Sequence, residues 1–105
     1  MKNLILIAGL IALCTPAMAD DPAAGRKVAA RCQTCHGLDG IAKLPTAPNL
    51  AGESAIYLKT QLEAFRSGAR ENAMMSVVAK DLTDEQIADV AAWYESIEVT
   101  VKMPE

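Results

Sequence analysis

Residues 20–105 hold 40 apolar residues, but 15 of them are alanine, so 86 positions supply only 25 larger apolar side chains. A chain of this length makes one small domain, and a core built from so few large side chains is too thin to stand alone. Something besides polypeptide has to fill its middle. The overall composition hides this shortage, because residues 1–19 contribute 14 of the 54 apolar residues.

That head segment reads as an address. Lys2 supplies a positive start, Leu4 to Cys14 an apolar stretch, and Ala17-Met18-Ala19 a small-x-small cleavage site. The apolar run falls short of the ~20 residues that cross a bilayer, which makes an uncleaved anchor the weaker reading. Leu13 is bulky where a lipid anchor on Cys14 would want a small residue. The expected organisation is a cleaved signal peptide over residues 1–19 and one domain over residues 20–105, in the periplasm and without stable membrane insertion. Residues 20–105 carry 9 basic and 13 acidic side chains, a formal charge of −4, which argues against a nucleic-acid partner.

Periodicity in this domain is helical. Asp20-Asp21-Pro22 opens a first helix whose narrow stripe, Gly25, Val28, Ala29 and Cys32, ends on a cysteine. Gly37 stops it, and Gly40, Pro45, Pro48 and Gly52 mark an irregular loop. A second helix is predicted from Glu53 or Ser54 to Ser67, with Ala55, Leu58, Leu62 and Phe65 on one face and Gly68 beyond its end. A third starts at the capping box of Thr83 and Gln86 and carries Ile87, Val90, Ala91, Tyr94 and Ile97 on its stripe. Ala69 to Asp81 is open to a loop, a helical turn or both, and residues 99–105 are expected to fray or lie along the surface. With no convincing strand pattern, the fold class is all-α with long loops. A large flat apolar cofactor would close the core that three small-faced helices leave open.

Cys32-Gln33-Thr34-Cys35-His36 names such a cofactor. Two cysteines separated by two residues, with a histidine next, match the haem-attachment pattern: both thiols reach the vinyl groups of one porphyrin, and the imidazole points at its iron. A dithiol redox site would want a βαβ context, which is missing. Zinc would need two more thiolate or imidazole ligands, and residues 20–105 contain no third cysteine and no second histidine.

Further blocks accompany the pentapeptide: Pro48-Asn49-Leu50-Ala51-Gly52, Tyr57-Leu58 with Gln61-Leu62 and Phe65, Ser67-Gly68-Ala69-Arg70, and Leu82-Thr83-Asp84-Glu85 leading to Ala91-Ala92-Trp93-Tyr94. On these the chain resembles class I cytochromes c, specifically the small soluble bacterial cytochromes of the c-five-five-three type and single domains of the dihaem c-four proteins. The resemblance implies three main helices and long loops around one covalently bound haem c, attached through Cys32 and Cys35. It implies that His36 and a methionine bind the iron from opposite faces, and that the Pro48 carbonyl accepts the ring N–H of His36. It places Gly25 and Trp93 where the first and last helices cross. The family's methionine precedes its Leu-Ser/Thr-Asp cap by seven residues; counted back from Leu82 this selects Met75, with Met74 the alternative and Met103 out in the tail. Asn72-Ala73 precedes these methionines where the family usually has Asn-Pro.

With both axial positions filled, the iron has no site for a substrate, and one-electron cycling remains. The reading is therefore not an enzyme but a monomeric electron carrier. Its donor would be a quinol-oxidising complex or a dehydrogenase, and its acceptor a terminal oxidase or reductase. The alternatives are a cytochrome subunit of a larger periplasmic oxidoreductase, or a haem gas-binding or peroxidatic protein if no methionine binds. Docking is expected at an exposed haem edge near the attachment helix. Arg31, Lys43, Arg70 and Lys80 fall close to the expected haem segments and leave the sign of that face open.

Overall fold

The computed structural model describes residues 20–105 together with Gly9, Ala12 and Leu13, so the proposed signal peptide, its cleavage site included, falls outside the described residues apart from those three positions. Every described element is helical: α1 Pro22–Ala29, α2 Gln33–His36, α3 Ala55–Ser67, α4 Met75–Lys80 and α5 Asp84–Glu95. None of these helices is long and apolar enough to cross a membrane.

The helix starts are set by short-range chemistry. Asp21 accepts the Ala23 amide at 2.9 Å ahead of Pro22, Ser54 accepts the amide of Tyr57, and Thr83 and Gln86 form both bonds of a capping box. α3 ends on Gly68, whose φ of 86° lies in the left-handed region open to glycine. α1, however, does not run on into the cysteines. Its chain tightens into i to i+3 bonds, Arg31 N–H to Val28 O at 3.0 Å and Cys32 N–H to Ala29 O at 2.9 Å, and α2 begins as a separate turn. The open segment from Ala69 to Asp81 is both loop and helix. Asn72 Oδ1 accepts the amides of Met74 and Met75, each at 3.0 Å, and starts α4.

α1 crosses α5 in direct backbone contact, α3 lies against α5, and α4 packs on α3. At the crossing a Cβ on Gly25 would stand 1.9 Å from the Asp89 carbonyl oxygen and 2.9 Å from Trp93 Cβ. The crossing thus meets the Asp89 backbone more closely than the tryptophan. The Asp89 carboxylate, itself buried, accepts the Asp21 amide at 2.9 Å and ties the start of α1 to α5. The core is small: Ala29, Leu58, Val90, Ala91 and Tyr94 cluster together, and the largest side chains wholly withdrawn from solvent are Tyr94, Ile87 and Val90. Ile41, Leu44, Tyr57, Met74 and Val77 stay exposed on the loop, α3 and the start of α4. The tail beyond Ile97 is exposed coil, with Val99 lying over Gly52.

Candidate functional site

The turn between α1 and α2 carries the two cysteines. Cys32 precedes α2 and Cys35 lies inside it; both are half-buried and unpaired thiols. The His36 amide donates to Cys32 O at 2.9 Å, so the pentapeptide closes on itself as one helical turn. Burial pushes the Cys32 thiol above its ordinary value, while the adjacent Tyr94 hydroxyl and the charge of Arg31 pull it part of the way back.

His36 is 8% exposed at the end of this turn, and its Nδ1 lies 2.8 Å from the Pro48 carbonyl oxygen. A carbonyl only accepts, so Nδ1 carries the proton and donates it, which leaves the Nε2 lone pair free to accept a proton or bind a metal. The partner carbonyl is held by the loop itself. Leu50 and Ala51 donate to Gly40 O at 2.8 and 3.0 Å, Lys43 donates to Cys35 O at 2.8 Å, and Asn49 Oδ1 accepts the Ala42 amide at 2.7 Å. Cys32, Cys35, His36 and Pro48 are therefore brought into one assembly.

This donor set fits a covalently held haem. Two thiols not bonded to each other flank the turn, and one imidazole has its tautomer fixed for metal binding by a backbone acceptor. Met74 and Met75 lie at the start of α4, the helix packed against α3. Met75 is half-buried there, while Met74 is 67% exposed.

Two hydrogen bonds escape sequence reasoning. Trp93 Nε1 donates to Leu38 O at 2.9 Å, and the Tyr94 hydroxyl donates to Gly37 O at 3.0 Å in the interior. Consecutive aromatics of α5 thus hold the consecutive carbonyls that follow His36. Burial pushes the Tyr94 phenol above its ordinary range, and the hydroxyl remains a donor. The helical stripe marked Tyr94 for the core, but nothing local to it reports where its hydroxyl ends.

A family model described as Cytochrome c matches residues 22–98. Cytochrome c-554(548) of Halomonas halodenitrificans is 46% identical over 83 residues, which are 76% of this chain and 100% of that protein. Cytochrome c4 of Pseudomonas aeruginosa is 37% identical over 103 residues, 98% of this chain and 50% of that one. Among solved structures, reduced recombinant cytochrome c4 from Pseudomonas stutzeri superposes with a TM-score of 0.72 at 33% identity, covering 79% of this chain and 48% of that one. The chain thus spans the full length of the first relative and about half the length of the c4 proteins.

Proposed function

Because the chain belongs to the cytochrome c family, we propose that it is a periplasmic one-electron carrier in which Cys32 and Cys35 hold one haem c and His36 and Met75 ligate its iron. As a family member it is a haem c electron-transfer protein rather than an enzyme. The haem supplies one-electron cycling of its iron; the polypeptide supplies attachment, orientation and a docking face. The observation that carries the reading is the 2.8 Å bond from His36 to Pro48, since a ring proton held on Nδ1 fixes the tautomer and orients Nε2 as the donor to a metal. Intact mass spectrometry of denatured protein, from a host that attaches haem, tests it. The expected mass is residues 20–105 plus one haem. A bare polypeptide would overturn the attachment, and a mass that includes residues 1–19 would overturn the cleavage site.

Its work requires redox partners, and we take these to be a quinol-oxidising complex or dehydrogenase as donor and a terminal oxidase or reductase as acceptor. The charge distribution supports brief ionic docking at the attachment end. Residues 20–52 carry Arg26, Lys27, Arg31 and Lys43 against Asp20, Asp21 and Asp39, whereas residues 53–105 carry 5 basic and 10 acidic side chains. Lys43 sits 3.3 Å from Asp39, but Arg31 and Lys80 have no ion pair among the described residues. A partner with an acidic patch should therefore associate faster at low ionic strength, by roughly tenfold across a salt series. Stopped-flow electron transfer with the native partner measures this. A salt-independent rate, with a complex that survives gel filtration, would instead indicate a resident subunit.

A further inference from the structure

We propose that Tyr94 is a positioning residue for His36: one side chain and its own backbone clasp both ends of the 37–52 loop and so hold the Pro48 carbonyl against the ligand ring. The Tyr94 hydroxyl donates to Gly37 O at 3.0 Å, at the loop's first residue. Its carbonyl accepts the Gly52 amide at 2.9 Å, at the loop's last. Between these anchors the loop returns Pro48 O to within 2.8 Å of His36 Nδ1.

The hydroxyl bond matters because of where it falls. Gly37 has a φ of 76°, and a glycine directly after the ligand is the freest hinge the backbone offers. The Lys43 bond to Cys35 O at 2.8 Å ties the loop only further along; without a strut at Gly37 itself, rotation at that hinge still swings the loop start relative to His36, and a bond of hydrogen-bond length does not survive displacements approaching 1 Å. Tyr94 removes that freedom from the most rigid place available. It is 2% exposed, it sits in the central cluster with Ala29, Leu58, Val90 and Ala91, and α5 is locked to α1 at the Gly25 crossing. Trp93, bonded to Leu38 O at 2.9 Å, braces the next peptide.

The inference rests on His36 as the iron ligand, and the unmodified protein checks that premise first: it must show haem and a His36 ring proton shifted by it. Tyr94→Phe then removes only the hydroxyl and leaves the Gly52 bond in place. Val90→Ala is the control; it thins the same cluster on the same helix and removes no hydrogen bond to the loop. In reduced holoprotein, exchange of the His36 Nδ1 proton with solvent should be at least about tenfold faster in Tyr94→Phe than in Val90→Ala, after each is referred to its own unfolding equilibrium. The midpoint potential of Tyr94→Phe should rise, because a weaker N–H to carbonyl bond makes the imidazole a poorer donor to oxidised iron; Val90→Ala should stay at the wild-type potential. Exchange that follows global stability alike in both variants, or an unchanged potential in Tyr94→Phe, would overturn the proposal.

Discussion

Met75→Ala should open the sixth position of the haem iron. The sulfur-to-iron charge-transfer band of the oxidised protein disappears, the reduced protein binds carbon monoxide, and the midpoint potential falls, because a thioether opposite histidine raises it. Met74→Ala should leave all three properties in place. The two residues are neighbours, and Asn72 Oδ1 receives both of their amides, so the backbone does not discriminate between them. Two other observations do. Met75 stands seven residues before Leu82, and it is half-buried where Met74 is 67% exposed. Asn72 also binds Ser76 twice, Asn72 N–H to Ser76 Oγ at 3.1 Å and Ser76 N–H to Asn72 O at 3.0 Å. That local box holds the first turn of α4 without the proline usual in the family. Optical spectra of the two variants decide the matter, and loss of the band in Met74→Ala with its survival in Met75→Ala reverses the assignment.

Gly25→Ala should destabilise the domain strongly. Alanine gains up to about 1 kcal/mol over glycine in a helix interior, which favours the variant. Against this, the new Cβ would stand 1.9 Å from the Asp89 carbonyl oxygen, and that atom belongs to the backbone of α5 and cannot rotate aside. Overpacking of this kind costs about 3 kcal/mol where the neighbour cannot give, so the steric effect wins by about 2 kcal/mol. At roughly 4–8 °C per kcal/mol for a domain of this size, the melting midpoint of the holoprotein should drop by about 8–16 °C, read from helical circular dichroism. A midpoint within about 2 °C of the parent, less than the shift from 1 kcal/mol, would mean that α1 and α5 can separate at little cost. The crossing matters beyond stability, because the same stretch of α5 presents Trp93 and Tyr94 to the chain after His36.

Much of this molecule is legible in short windows. Ser54 before α3, Gly68 after it, and the Thr83–Gln86 box before α5 all act over four residues or fewer, and each helix forms where those signals stand. The two helix-level differences come from interactions that periodicity does not encode. α1 ends at Ala29 because its last turn tightens into i to i+3 bonds, although Cys32 continues the same stripe. α4 forms over Met75–Lys80 despite weak periodicity, because Asn72 and Ser76 build its first turn from side chains.

The pentapeptide from Cys32 to His36 needed no fold to be read, since its chemistry depends on spacing within a single turn. The 25 larger apolar side chains of residues 20–105 likewise point to a core completed by something else. What the sequence could not show is how the chain after His36 is held. Tyr94 reaches Gly37 across 57 positions and Trp93 reaches Leu38 across 55, and both bonds run from α5, which α1 meets backbone to backbone at Gly25. A hydrogen bond is made or lost within a few tenths of an ångström. Chain spacing predicts such a contact over four residues, where backbone geometry sets the distance; over fifty, the packing of whole helices sets it, and tertiary structure alone decides.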